Sequence, residues 1–539
     1  MFRACSGSFA LALLGALGAS DASSQVPLLS CADAAGSTDL PMTCAAVGDV
    51  DGDGLADVVI GRPIEREARG SLVLLSSRTG RERWRIDGAS FAQTLGRTVA
   101  GGADLDGDGI GDVAAVEFQI VPTPSYLVRA YSGATGALLW SALDGSSNIA
   151  STCFVGDVDG DGKSELLCGA PFATGSAGPA GRASLRSGRT GTLLRLFEGT
   201  AALDFFGQSL AALGDIDGDG TADFAIAAPM ATPQGSTGGG AGYVALFSGR
   251  SGQLLRRFDG HVAGSGFGLG LAPLADLDRD GTIELAVGAP LEPNGGAAYF
   301  VSGASGAILR RFGGSAAGQQ LGFAIARLRD LDGDGIAECA IAAPREGGAG
   351  TVRIHDGTSG AIRSTLHGSA GSRFGARLAS AGDANADGAE ELWVLRDPAP
   401  PLVGALTLYA LRSLVPFGAG CRALAPSPAL VLQPLQLGAA AQIAGSGAPP
   451  FARGCLMVGL VPELPLVLTE ACTLYLEPAT IFERRELMND ASGSFALSIA
   501  VPNDPWLAGV AIAVQAAWSD VGSPLGFALT QAIYGAIEA

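Results

Sequence analysis

The sequence predicts an all-β chain: a seven-bladed β-propeller followed by a small C-terminal β-sandwich domain. Three observations carry this. A nine-residue acidic segment, D-x-[DN]-x-D-G-x-x-[DE], occurs seven times between residues 49 and 391. Short alternating apolar stretches, bounded by Gly and Pro, flank its copies as strands should. Beyond about residue 415 the repeat stops, and only scattered alternating stretches remain.

The copies begin at Asp49, Asp104, Asp157, Asp215, Asp276, Asp330 and Asp383, spaced 55, 53, 58, 61, 54 and 53 residues apart. A steady period of this size marks one supersecondary unit repeated as an array. In the fourth unit, Phe206–Leu213 leads into the acidic loop and Phe224–Pro229 leaves it. Gly242–Phe247, the turn Ser248–Gly252 and Leu254–Phe258 follow. These are four antiparallel strands. The turn recurs at Ser132–Gly136, Ser187–Gly191, Ser302–Gly306 and Asp356–Gly360, where paired glycines are expected to supply positive φ. Four strands per unit, seven times over, make a ring of blades. An open solenoid would need capping repeats, which the sequence lacks.

The seventh unit has Leu392–Leu395 and Ala405–Leu411 but no fourth strand. Val26–Ser30 is expected to supply it, so that the N-terminal segment closes the ring. The expected division is a leader at 1–22, a propeller at 25–415 and a β-sandwich module at 417–539. In the last of these, Ser494–Val501 and Val510–Ala516 alternate as strands do.

Each acidic segment places carboxylates at positions one, three, five and nine of a turn whose bend is permitted by Gly at position six. Carboxylates ~4 Å apart repel by about 4 kcal/mol per pair at an effective dielectric of ~20, so such a set calls for a cation. Oxygen-only ligands with a free carbonyl at position seven suit calcium better than magnesium, and the absence of His and Cys disfavours zinc. The expected ligands are Asp49, Asp51, Asp53 and Asp57; Asp104, Asp106, Asp108 and Asp112; Asp157, Asp159, Asp161 and Glu165; Asp215, Asp217, Asp219 and Asp223; Asp276, Asp278, Asp280 and Glu284; Asp330, Asp332, Asp334 and Glu338; and Asp383, Asn385, Asp387 and Glu391. Up to seven calcium sites follow, the seventh weakest because Asn385 replaces a carboxylate. Arg279 occupies a non-ligand position and is expected to point outward. An EF-hand is excluded, since position twelve is apolar or Cys (Ile60, Ala115, Cys168, Ile226, Val287, Ile341, Val394) rather than Glu.

The net charge of −19 has the same origin, for 27 of the 53 acidic residues are loop ligands. Seven divalent ions would bring it to about −5. With no basic tract, nothing favours nucleic acid. Arg3, the apolar run Phe9–Leu17 and the small residues after it have the form of a secretory signal, implying a secreted, cell-surface or periplasmic location. No later apolar run of ~18 residues predicts a membrane anchor.

Eight of the nine cysteines follow the leader. Cys31 and Cys44 are placed for a clip across a short loop, and one pair is expected among Cys421, Cys455 and Cys472. Cys153 and Cys168 flank one acidic loop and form either a bridge or two thiols. Cys339 falls where other repeats have Val58, Val113, Leu166, Phe224, Leu285 and Leu392, the place of a small buried hydrophobe.

The chain resembles the FG-GAP repeats of integrin α-subunit propellers and their secreted bacterial relatives. The marks are Phe206-Gly207, Phe267-Gly268 and Phe374-Gly375 before loops, the acidic loops themselves, and Gly169-Ala170-Pro171 and Gly288-Ala289-Pro290 after them. The resemblance covers about residues 40–415. It implies calcium on one face and ligand-contacting loops on the other: Glu65–Gly70, Phe118–Tyr126, Ala173–Gly181, Met230–Gly242, Asp259–Gly266 and His367–Arg373. It departs in having more calcium loops and no transmembrane helix. Residues 417–539 are similar to a C-terminal module of secreted bacterial proteins, on Gly420-Cys421, Cys472 and Val501–Pro505.

The expected function is a binding or adhesion module for an extracellular protein or glycan. A structural envelope component without a discrete ligand and a polysaccharide-active enzyme are the alternatives. Catalysis is the weaker expectation, because only His261, His355 and His367 offer imidazoles and no nucleophile motif accompanies them.

Overall fold

A computed structural model describes residues 26–411 apart from 33–41, 66–68, 78–79, 90–92, 120–124, 146–147, 233–239, 332, 383–389 and 399–404; beyond 411 it describes strand backbone alone. Within 26–411 there are seven four-stranded antiparallel sheets. The fourth blade shows the plan, with Ser209–Gly214, Asp223–Ala228, Tyr243–Phe247 and Leu254–Asp259 pairing in chain order. The acidic loop joins strands one and two, and the Ser-Gly turn joins strands three and four. Both therefore lie at the same end of the blade. First strands of neighbouring blades touch all the way round, including Ser372–Gly382 of the seventh against Thr43–Gly48 of the first.

The ring is closed as expected. The seventh blade's own strands are Ser372–Gly382, Glu391–Pro398 and Ala405–Ala410, and Val26–Ala32 adds the fourth, antiparallel, with Cys31 opposite Leu406. The added strand runs two residues beyond the expected Ser30. The other blades are each formed from one continuous segment, whereas this one joins both ends of the ring through a hydrogen-bonded ladder.

The apolar core lies between blades. Val244, Leu246 and Phe258 of the fourth blade pack with Leu285, Val287 and Tyr299 of the fifth. Equivalent clusters fill the junctions from the first blade to the seventh. Each fully buried side chain of this size contributes about 1.5–3 kcal/mol. The Phe-Gly pairs serve these junctions: Phe206 is buried, while Gly207, at φ 89°, presents a carbonyl that accepts from Ser151 Oγ at 2.8 Å.

The Ser-Gly turns differ from expectation in one respect. Only the second glycine adopts positive φ, as at Gly136 (72°), Gly191 (74°) and Gly252 (70°). The first is required by close approach: a Cβ on Gly133, Gly188 or Gly249 would lie 1.9 Å from the carbonyl of Gly111, Ser164 or Ala222, the eighth residue of the acidic loop. The turn is thus seated against the loop.

Cys44, Cys153, Cys168 and Cys339 are free thiols. Cys44 therefore does not clip to Cys31. Cys153 and Cys168 do not bridge because they belong to opposite faces of their sheet: Thr152 stands opposite Cys168, Cys153 packs toward the fourth blade and Cys168 toward the second. Cys339 is fully buried among Ile325, Ile341 and Phe300, as expected for a small hydrophobe. The side chains of Cys421, Cys455 and Cys472 lie outside the described residues. Beyond 415 the backbone forms a sheet that includes Arg453–Leu460, Ala511–Ser519 and Ala532–Glu538, and a second of Ala429–Leu432, Ala440–Ser446 and Phe495–Ala500. No helix among the described residues is long and apolar enough to cross a membrane.

Candidate metal centres

In each described loop the first aspartate organises the backbone. Asp49 Oδ1 accepts from Gly52 N (2.8 Å) and Asp53 N (3.1 Å), and Oδ2 from Gly54 N (2.8 Å). Asp104, Asp157, Asp215 and Asp330 receive the same pair of glycine amides. The fifth-position aspartate accepts from the amide two residues on, as at Asp53 (3.0 Å), Asp161 (2.9 Å) and Asp280 (2.8 Å). Such Asx turns shape the loop through its own backbone amides.

Five loops gather their carboxylates closely enough to hold one metal, with ligand oxygens within 4.8 Å of one another. They are Asp49, Asp51 and Asp53; Asp104, Asp106 and Asp108; Asp157, Asp159, Asp161 and Glu165; Asp215, Asp217 and Asp223; and Asp276, Asp278, Asp280 and Glu284. Asp57, Asp112 and Asp219 stand outside these sets. Asp332 of the sixth loop and Asp383, Asn385 and Asp387 of the seventh lie outside the described residues; Asp330, Asp334 and Glu338 lie in the loop between Ile325–Arg327 and Cys339–Ala343, and Glu391 begins the seventh blade's second strand.

The ninth residue is buried in every loop, from Asp57 to Glu391. When it is Asp, both oxygens are occupied. Asp57 accepts from Val50 N and Ser77 N (both 3.0 Å), Asp112 from Leu105 N (2.7 Å) and Gly133 N (2.8 Å), and Asp223 from Ile216 N and Gly249 N (both 2.8 Å). When it is Glu, Oε2 takes the loop amide, from Val158 to Glu165 and from Leu277 to Glu284, while Oε1 is buried without a hydrogen bond. Asp51 Oδ1 is orphaned in the same way. Buried oxygens without donors are costly, and a bound cation satisfies them. The donor set is oxygen alone. These residues fit a divalent ion with a large, flexible shell.

The electrostatics divide each loop. Burial pushes the carboxyls of Asp57, Glu165 and Glu284 up to about 7 and raises those of Asp112 and Asp223. The Gly220 amide, with others, holds Asp215 below its usual range. Guanidinium groups also approach within the same blades: Arg83 and Arg363, on fourth strands, reach Asp51 (3.8 Å) and Glu338 (3.9 Å), and Arg250, in the turn, reaches Asp219 (3.5 Å).

Sequence reasoning passed over position four. Gly52, Gly107, Gly160, Gly218 and Gly333 all adopt φ between 76° and 93°, and Arg279 adopts 62°. Glycine's recurrence there was the available signal. Arg279 is exposed, pointing outward as expected. Of the imidazoles, His355 is buried, its Nδ1 3.0 Å from the Gly360 carbonyl and its ring 4.4 Å from that of Phe312. That is a turn-bracing role.

At the opposite end of the blades the loops carry exposed apolar groups. Phe172 and Leu203 are 47% and 62% exposed, and the Phe172 and Phe205 rings lie 4.9 Å apart. Leu203 (φ 68°) and Phe205 (φ 58°) hold left-handed backbone conformations that disfavour bulky side chains. The expected loop Phe118–Tyr126 is shorter than its bounds, for strands reach Gln119 and start again at Ser125.

Seven four-stranded antiparallel blades define a β-propeller. The FG-GAP repeat model matches residues 45–75, 150–185 and 206–247, so the chain carries FG-GAP repeats. Its relatives include integrin alpha-V of Gallus gallus, 32% identical over 169 residues, and integrin alpha-IIb of Homo sapiens, 37% identical over 153 residues. These alignments cover 30% and 25% of this chain but only 16% and 14% of the relatives' length. Among solved structures, BamB from Moraxella catarrhalis aligns over 67% of this chain and 83% of its own, at 15% identity and a TM-score of 0.34, too slight a likeness to bear on function.

Proposed function

We propose that this chain is a secreted calcium-binding β-propeller that acts as a binding or adhesion module for an extracellular protein or glycan, without enzymatic activity. Calcium occupies up to seven loops, the seventh most weakly, and braces the first hairpin of each blade. The leader at 1–22, the propeller at 25–415 and a β-sandwich module at 417–539 are parts of the same reading.

The observation that carries it is the contrast between the two ends of the blades. One end is a repeated set of self-organised acidic loops. The other presents Phe172 and Leu203 in solvent, with Phe205 half-buried against Phe172, and Leu203 and Phe205 hold strained backbone conformations. Strain held at exposed apolar groups belongs more often to recognition than to packing. The similarity to integrin α propellers supports the same division of labour.

The test is a binding array of matrix proteins and glycans, probed with calcium and with chelator. Binding that needs calcium and is lost in the F172S/F205S double variant, at unchanged melting temperature, is the expected result. A hit whose affinity is indifferent to both changes refutes this placement of the site.

A further inference from the structure

The fourth strand of one blade is fastened to the hairpin turn of the next at a single register position. Trp84 Nε1 donates to the Gly133 carbonyl (2.7 Å), Trp140 Nε1 to the Gly188 carbonyl (2.6 Å) and Arg195 Nη1 to the Gly249 carbonyl (2.8 Å), while Arg195 Nη2 reaches the Arg250 carbonyl as well. In the fifth blade Arg310 holds the Thr358 and Ser359 carbonyls of the sixth. The four positions are equivalent, for Leu74 faces Trp84, Ala130 faces Trp140, Leu185 faces Arg195 and Phe300 faces Arg310 across strands three and four. The fastening residue also covers the last glycine of the turn: a Cβ on Gly136, Gly191, Gly252 or Gly360 would meet Trp84, Trp140, Arg195 or Arg310.

The junction of the fourth and fifth blades breaks the pattern. Arg256, opposite Leu246, holds the register position, yet it is exposed and donates no hydrogen bond among the described residues. Over Gly306 lies the Phe258 ring instead, 2.9 Å from where a Cβ would stand. Beside it opens a cleft of about 500 Å³. Phe258, Phe267 and Val301 are buried in its floor, and Ile308 is exposed in its wall. Arg257 lines it too but is committed, paired with Asp259 at 2.7 Å and lying 3.8 Å over the Tyr243 ring. The uncompensated charge of the cleft is Arg256, and His261 is the other exposed basic group in its lining.

Arg195 and Arg310 show what a guanidinium at this position takes: two oxygens at once. Arg256 offers the same fork to solvent above an apolar floor. A carboxylate matches the fork bidentately, and an apolar side chain borne beside it fills the floor. A peptide's C-terminal residue carries both groups on one carbon.

We propose that the cleft between the fourth and fifth blades binds the C-terminal residue of a partner polypeptide ending in an apolar side chain. Arg256 takes the carboxylate, and Phe258, Phe267, Val301 and Ile308 surround the side chain. Neither the Phe172 surface nor a bound ion takes part, so the site stands or falls independently of both.

The experiment measures fluorescence anisotropy of a fluorescein-labelled hexapeptide that ends in leucine with a free C-terminus, titrated with the full chain. The same peptide amidated at its C-terminus is the second probe, and 4-methylpentanoate, which has leucine's chain and carboxylate without a peptide, is the competitor. Wild type is expected to bind the free-acid peptide and to lose at least about tenfold in affinity on amidation, the loss that follows removal of a charge-assisted pair. R256Q is expected to lose as much at unchanged melting temperature, whereas R195Q, which removes a fastened arginine, melts lower and keeps the peptide. The F172S/F205S variant also keeps it. Equal binding of acid and amide, an unchanged affinity in R256Q, loss of binding in F172S/F205S, or no binding at millimolar peptide overturns the proposal. So does R256Q melting as low as R195Q, since Arg256 would then be fastened in solution like its counterparts. Competition by 4-methylpentanoate as strong as the peptide's own binding would make the site one for a free carboxylic acid and overturn the polypeptide assignment.

Discussion

Lys163 Nζ lies 3.3 Å from Asp104 Oδ1, so the chain's only lysine ties the third acidic loop to the second. Position seven is Leu55, Ile110, Thr221, Thr282, Ile336 or Ala389 in the other loops. Only here does it carry charge, and the charge meets the aspartate that organises the neighbouring loop. The ammonium and a cation compete for the same carboxylate.

K163M should therefore strengthen calcium binding at the second loop. The pair is partly exposed and screened, worth at most ~1 kcal/mol, which corresponds to an affinity gain of up to about fivefold. Calcium titration of the variant against wild type measures it. A weaker second site in K163M would show that Lys163 orders the loop instead of competing for it.

R279G should stabilise the fifth blade. A side chain at φ 62° costs roughly 1–2 kcal/mol, and the added freedom of glycine in the unfolded chain returns ~0.5–1 of that. The net gain is about 0.5–1 kcal/mol, read from denaturant unfolding at fixed calcium. A loss of stability would mean that Arg279 makes contacts in solution that outweigh its backbone strain.

Deleting residues 26–32 should lower the melting temperature by several degrees, since it strips the fourth strand from the blade that closes the ring and bares the edge at Ala405–Ala410. Unfolding measured by tryptophan fluorescence, with the buried Trp393 in that blade as one reporter, follows the change. An unaltered transition would show that closure does not depend on this ladder.

The period of the loops, the four-strand unit and the closing strand at Val26 were all legible in the sequence, because each follows from spacing and alternation. What escaped lies in three dimensions. The first glycine of each Ser-Gly turn looks like a source of positive φ, but Gly133, Gly188 and Gly249 are needed because a loop carbonyl sits where a Cβ would go. Cys153 and Cys168 look like partners across a loop, yet strand pairing sends them to opposite faces. Asp and Glu at position nine look interchangeable, and one methylene decides whether the second oxygen reaches the turn. Phe172 and Leu203 resemble core residues by type; only the blade geometry leaves them in solvent.

That calcium fills the acidic loops and braces the blades is tested most directly by one paired measurement: metal content of the purified chain together with its melting curve before and after chelation. Ligand at ~100 times its dissociation constant contributes about 2.7 kcal/mol per site, so several sites acting together predict bound calcium and a large fall in melting temperature on chelation, reversed by re-addition. A chain that contains no metal and melts identically in chelator and in calcium would contradict the account.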